Sequence, residues 1–261
     1  MDRQDYVIEV SHVSKSFKDN KVLKDVSLLC ESGKIYGLVG HNGSGKTVLF
    51  KSICGFLSCD EGTITVNGKV MGKDKDMLTD AGIIIEDPGF LRTWSGYHNL
   101  EFLYTLRNKK NKDYLCSVLR KVGLDPALKR PVGKYSLGMR QRLALAQAIM
   151  EDPGILILDE PTTYLDICHQ LEVLELIEKL NQDEKLTVVM VLHDINQAIR
   201  YSQDILVLED GIIKYHGNPV EIMTHETIGE IFKVDADIEI RQGRPSVIVC
   251  LLYTSDAAAE L

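Results

Sequence analysis

A short apolar segment, Lys34-Ile-Tyr-Gly-Leu-Val39, runs directly into Gly40-His-Asn-Gly-Ser-Gly-Lys-Thr47 and then into Val48-Leu-Phe-Lys-Ser-Ile53. A buried strand, a glycine-rich turn and a helix in that order constrain this chain more than any other feature. The turn satisfies G-x-x-x-x-G-K-[ST], in which glycines let backbone N–H groups turn inward around phosphate oxygens. The helix that follows places its positive N-terminal end at the same point. Lys46 is expected to reach the β- and γ-phosphates, and the Thr47 hydroxyl to ligate Mg²⁺. The expected phosphate-holding set is Gly40, Asn42, Gly43, Ser44, Gly45, Lys46, Thr47 and Val48. Average composition would produce the four specified positions by chance in roughly one chain in a hundred of this size, and here the flanking strand and helix agree with the motif.

The rest of the chain reads as an α/β domain built around that turn. Residues 1–35 alternate apolar and polar positions (Val7, Ile8, Val10, then Val22, Val26, Leu28), as half-buried antiparallel strands do. Ile83 to Ile85, Ile155 to Leu158, Val188 to Leu192 and Ile205 to Leu208 are continuous apolar runs, as a sheet covered on both faces requires. Helical stretches separate most of them, which predicts a mostly parallel sheet wrapped by helices. Between about residues 95 and 150 the spacing becomes helical (Leu100, Leu103, Tyr104; Leu115, Val118, Leu119, Val122; Leu143, Ala146, Met150) and predicts an inserted helical subdomain.

Two of the apolar runs end in chemistry. Ile155-Leu-Ile-Leu-Asp159-Glu160 closes on adjacent carboxylates. Successive strand residues point to opposite sides, so Asp159 is expected to complete the magnesium shell while Glu160 polarises the attacking water. A solvated strand end is the plainer alternative. Val188-Val-Met-Val-Leu-His193-Asp194 closes on a histidine that either caps the next helix or faces the γ-phosphate and the attacking water. Ligands of open α/β sheets sit at the carboxyl ends of the strands, the rim that Lys46 and Glu160 share. Glu160, His193 and Lys46 are therefore the candidate catalytic residues.

Charge and cysteine usage exclude several function classes. With 30 basic against 38 acidic side chains the formal charge is −8, which argues against nucleic-acid binding by counterion displacement. The stretch from Arg107 to Lys134 runs the other way, with nine Lys or Arg and two acids. It is either a solvated face or a docking surface for an acidic partner or the inner leaflet. No apolar run approaches the roughly 18 residues of a membrane span, and MDRQDYVIEV lacks the apolar stretch of a signal peptide, so a cytosolic chain is expected, with any membrane role reached through a partner. The six cysteines form no CxxC pair and read as reduced structural thiols, with a metal site as the lesser reading.

Taken together, these motifs resemble the ATP-binding subunit of an ABC transporter, from Val7 to about Val249. Gly40 to Thr47 is similar to its Walker A loop, Ile155 to Glu160 to its Walker B strand, Pro161-Thr-Thr-Tyr-Leu-Asp166 to its D-loop and His193 to its switch histidine. Tyr135-Ser136-Leu137-Gly138-Met139-Arg140-Gln141 resembles the LSGGQ signature, with Met139 and Arg140 replacing the usual glycine and glutamine. Phe17 stands 23 residues before the loop, where the family places an aromatic against adenine. The family's Q-loop glutamine is replaced by Glu86, a carboxylate that can still reach magnesium through water. The resemblance implies a P-loop NTPase core with an N-terminal antiparallel β subdomain and a helical insert. It also implies ATP and Mg²⁺ as cofactors, with Asp166 of the D-loop among the nucleotide-binding residues, and a second ATP-binding subunit, homodimeric or heterodimeric, whose γ-phosphate is held by Ser136 and Gly138. Transmembrane permease subunits would be the further partners, placing the chain peripherally on the inner face of the membrane.

Within the family the two halves point in different directions. Ile83 to Leu103 and the signature are similar to bacitracin- and lantibiotic-type export ATPases; Asp159 to Ile167 and Val191 to Tyr201 are similar to iron-siderophore, haem and cobalamin import ATPases. The expectation is an import ATPase, with a peptide or drug exporter as the alternative. A junction of two related genes between Arg142 and Pro161, leaving a module unable to hydrolyse, is the third reading. Residues 250–261 resemble a translated sequencing adapter and are set aside from fold reasoning, leaving 1–249 as the ATPase domain.

Overall fold

The computed structural model describes residues 6–73, 77–86 and 88–250, so of the adapter-like residues 250–261 all but Cys250 lie outside the described part. Strands β1 (Tyr6–Phe17) and β2 (Asn20–Glu31) form an antiparallel hairpin, and β4 (Glu61–Val66) with β5 (Lys69–Val70) extends it on the other edge of β1. The alternation seen in the sequence is the alternation of burial: Ile8, Val10, Val13 and Val26 are inside.

The second sheet has the order β10-β9-β3-β8-β7-β6. Its strands are β3 (Ile35–Val39), β6 (Ala81–Ile84), β7 (Ile155–Leu158), β8 (Thr187–Val191), β9 (Asp204–Glu209) and β10 (Ile212–Gly217). β9, β3, β8, β7 and β6 run parallel, and β10 is the antiparallel edge. Strands β3, β7 and β8 are buried along their whole length, which is why their sequences are continuous apolar runs. Their alternate residues feed two cores. Tyr36, Leu38, Ile157, Val189 and Val191 pack toward helix α1 (Lys46–Ile53) and the antiparallel sheet, while Leu156, Leu158, Val188 and Met190 pack toward the other helices.

Helices α2 (Gly96–Thr105), α3 (Lys112–Lys121) and α4 (Leu137–Ile149) occupy the stretch with helical spacing and bury Leu100, Leu115, Val118, Leu119 and Leu143 in the second of those cores. Helix α5 (Ile167–Glu184) joins β7 to β8, and α6 (Ile195–Tyr201) joins β8 to β9. Beyond β10 come α7 (Pro219–Ile222), α8 (His225–Phe232) and the hairpin of β11 (Ala236–Arg241) and β12 (Arg244–Val249). That hairpin is tied to α6. Asn196 exchanges two hydrogen bonds with the Val247 backbone, and Arg244 donates to the carbonyls of Ile199, Arg200 and Ser202 at the end of the helix. All six cysteines are unpaired; burial pushes the Cys54 thiol up to about 12. Among the described residues no helix is long and apolar enough to cross a membrane.

Candidate nucleotide-binding and hydrolytic site

The glycine-rich turn is pinned from three sides. Lys46 is nearly buried, and its Nζ donates to the Gly40 and His41 carbonyls at 2.9 and 2.8 Å. Burial holds its pKa below the ordinary value, opposed by the charges of Glu160 and Asp159. The turn between β9 and β10 braces the loop from outside, because Gly211 donates to Ser44 O at 3.1 Å and accepts from Lys24 N at 2.8 Å. Gly40 has no room for a side chain, since a Cβ there would stand 2.1 Å from Leu208 O; at Gly45 a Cβ would crowd Leu23 Cδ2 at 3.0 Å and the backbone φ is +106°. Asn42 and Gly43 form the exposed crest, and Val48 lies half-buried on the first turn of α1. Among the described residues the buried Ser44 Oγ has no hydrogen-bond partner. His41 hydrogen-bonds the Ile231 carbonyl of α8 through Nε2 and packs on Phe232.

Asp159 lies just past β7, its N–H held by Ile84 O at 2.7 Å. Burial raises its pKa; a hydrogen bond with Thr47 and the charge of Lys46 work the other way. Its Oδ1 is buried with no hydrogen-bond partner among the described residues. An orphaned carboxylate oxygen beside a threonine hydroxyl is the donor set of a hard divalent cation, so the residues present fit magnesium.

Glu160 diverges from Asp159 for a reason the strand pattern alone does not contain. The strand ends at Leu158, and Glu160 has a left-handed backbone with φ of 53°. That turn swings its carboxylate between two partners, His193 Nε2 at 2.7 Å and Thr163 Oγ1 at 3.1 Å. His193 does not cap α6; Asp194 does, accepting from Gln197 N at 3.0 Å. The structure thus brings Lys46, Thr47, Asp159, Glu160 and His193 to the carboxyl ends of β3, β7 and β8. Glu86 is spent differently. It is largely exposed, its carboxylate is 2.7 Å from Lys51 Nζ, and that hydrogen bond holds its pKa down. Phe17 closes the β1–β2 hairpin half-exposed, with the Lys15 ammonium 5.7 Å from its ring centre.

The ABC transporter family pattern matches residues 23–163, more than half of the chain. The chain belongs to the ABC transporter family. It is an ATP-binding subunit of such a transporter and an ATPase. Its sequence is 32% identical over 253 residues to the iron(3+)-hydroxamate import ATP-binding protein FhuC of Bacillus subtilis, covering 91% of each chain. It is 34% identical to the petrobactin import ATP-binding protein FpuC of Bacillus anthracis over 89% of each chain. It is 35% identical to the bacitracin transport ATP-binding protein BcrA of Enterococcus faecalis, over 79% of this chain and 68% of that one. Each likeness therefore extends beyond the half in which the sequence first suggests it. The fold is shared with CbiO1 of Clostridium perfringens, with a TM-score of 0.76, 24% identity and coverage of 87% of this chain and 94% of that one. It is shared too with the dimeric cassette MJ0796 bound to ADP and Pi, with a TM-score of 0.70, 24% identity and coverage of 81% and 98%.

In this ABC subunit the signature-like segment and the loop before α5 form a second group. Ser136 caps α4, accepting from Met139 N at 3.2 Å, and Arg140 turns back to donate to Tyr135 O at 3.0 Å. Asp166 caps α5, accepting from His169 N at 2.9 Å. Gly138 is buried against His169. Sequence reasoning missed His169, His41, Lys51 and Thr163. Of these only Thr163 carried a local signal, three residues past Glu160 in a turn-forming stretch. The others depend on contacts between distant elements.

Proposed function

We propose that this subunit powers solute import, with a ferric siderophore, haem or cobalamin as the class of cargo. Relatives named for iron-hydroxamate and petrobactin import align over about nine-tenths of both chains, a longer span than the bacitracin relative. Export of a peptide or drug is the second reading, favoured by the higher identity within that shorter span.

The observation that carries the hydrolytic roles is the Glu160 carboxylate held between His193 and Thr163. Glu160 takes the proton of the attacking water, His193 orients that carboxylate, and Lys46 neutralises phosphate charge. Thr47 and Asp159 would hold Mg²⁺, which would supply neutralisation of phosphate charge; Glu86, which pairs with Lys51 at 2.7 Å, would leave that pair to reach the metal through water. Phe17 offers its exposed face to the adenine. Ser136, Gly138 and Asp166 serve the nucleotide of a second subunit. Beside them Tyr164 and Ile167 are 90% and 74% exposed, apolar surface that a second subunit would cover.

The membrane partner docks on the helical face. Trp94 and Phe102 pack edge to face with ring centres 5.8 Å apart, half-exposed and with Leu106 beyond them. Basic Arg107, Lys109 and Lys112 follow in the sequence and are exposed. An amphipathic segment with acidic residues fits such a surface, and this docking is what would hold the subunit at the inner membrane face.

Phosphate release from wild type and Glu160→Gln tests the enzymatic roles, and equal release from both would overturn them. Assembly with the membrane partner tests direction. Stimulation of ATPase activity by a solute-binding protein loaded with ferric siderophore supports import, and stimulation by a peptide antibiotic instead would overturn it.

A further inference from the structure

The first turn of α5 carries an imidazole that the hydrolytic roles leave unused. Both oxygens of Asp166 are engaged by His169: Oδ1 accepts the backbone N–H at 2.9 Å and Oδ2 lies 2.7 Å from Nδ1. The opposite edge of the same ring rests on α4. A Cβ built on Gly138 would stand 2.8 Å from His169 Cδ2, 3.4 Å from Cγ and 3.6 Å from Nε2. The glycine at 138 and the histidine at 169 are therefore complementary in shape, and one ring spans the gap between the two segments. One turn further along each helix, Arg142 and Glu172 close the same seam with an ion pair at 2.9 Å. The neighbouring Gln170 holds the loop before α5 from the other side, donating to Leu165 O at 3.0 Å and accepting from Gln197 of α6 at 2.7 Å.

We propose that His169 is a positioning residue for the ATPase. It fixes the separation between Asp166 and the first turn of α4, and so the joint surface that Ser136, Gly138 and Asp166 present to the nucleotide of a second subunit. This rests on the reading of Ser136 and Gly138 as a segment that holds phosphate across a dimer. The hydrogen bond to Asp166 orients one side of that surface, and the thickness of the ring sets the other.

The test uses the full chain in a Glu160→Gln background, where ATP-driven dimerisation can be followed by light scattering without turnover. His169→Ala weakens dimerisation about tenfold, while ATP affinity of the isolated subunit and its Tm stay near the parent values. His169→Asn returns an N–H donor toward Asp166 and restores much of the loss. Gly138→Ala also weakens dimerisation, because its methyl meets the ring; adding His169→Ala to it recovers part of the loss, since the space is then free. In the Glu160 parent, ATPase activity at saturating ATP and low subunit concentration falls, and it recovers as the subunit concentration is raised. Dimerisation of His169→Ala at the parent level overturns the proposal, as does a double variant whose loss is the sum of the two single ones. If Gly138→Ala does not fold, the comparison of Ala with Asn at 169 decides alone. Ser136→Ala separates the two readings. If it dimerises like the parent, the phosphate-holding role of the segment has failed; if it is impaired while His169→Ala is not, only the role of His169 has failed.

Discussion

His193 Nε2 lies 2.7 Å from Glu160 Oε1, so the ends of β7 and β8, neighbours in the sheet, are joined by a contact between the two groups best suited to handle a proton. The contact also explains why the left-handed turn at Glu160 is tolerated. Backbone strain of this kind costs on the order of 1 kcal/mol, and the partners of the carboxylate hold it in place.

Glu160→Gln keeps the shape of that side chain and removes its basicity. Steady-state phosphate release should fall by roughly 10²–10⁴-fold with ATP affinity retained. His193→Ala should lower kcat less, since Thr163 still holds the other carboxylate oxygen at 3.1 Å.

Gly40→Ala and Gly43→Ala should separate contact from conformation. Around Gly40 the methyl meets the Leu208 carbonyl at 2.1 Å, whereas around Gly43 nothing lies within 4 Å and the cost is that of its φ of +83°. The second change should cost about 1–2 kcal/mol and the first more. Thermal melts should therefore order wild type above Gly43→Ala above Gly40→Ala.

Asp159→Asn should stabilise the metal-free protein while removing activity. Burial lifts the Asp159 carboxyl above its ordinary value, so the fold disfavours its ionised form. The stability tied to the protonated group is present at low pH and is lost as pH rises through that lifted pKa. Asparagine escapes the loss. In metal-free buffer at neutral pH the variant should melt higher than wild type, with the difference closing toward about pH 4. Added Mg²⁺ should raise the wild type more than the variant, and a variant that melts no higher at neutral pH would refute the argument.

Reversing Arg107, Lys109 and Lys112 to Glu should weaken capture of the membrane partner about tenfold at low salt and less at high salt, with ATP binding unchanged. Lys110 is best left alone, because it is bonded to Glu101 at 2.8 Å and its reversal would set two carboxylates together.

What could be read from the sequence was whatever a short window contains. The turn at Gly40–Thr47, the apolar runs of β7 and β8 and the spacing of α2 to α4 each express a local period or a local backbone demand. The pairing of Glu86 with Lys51, of His41 with α8 and of His169 with Gly138 depends on which elements become neighbours. No periodicity carries that information. The edge strand β10 and the β11–β12 hairpin escaped for another reason: each is half-exposed, and its sequence is too polar to stand out as a buried run. Asp194 shows the same limit in miniature, since either member of His193-Asp194 could have capped α6 until the backbone set which one did.

The strand that leads into the glycine-rich turn sits between β8 and β9, and the turn itself is braced by Gly211. During synthesis, then, β3 must wait for about 150 further residues before either neighbour exists, and the turn waits longer still. Such long-range closure is slow. An emerging chain therefore lacks, until late, both strands that flank β3 and the brace on the turn, and ATP should bind it weakly until they are in place. Binding of nucleotide by a nascent or truncated chain would therefore report that its last central strand has arrived.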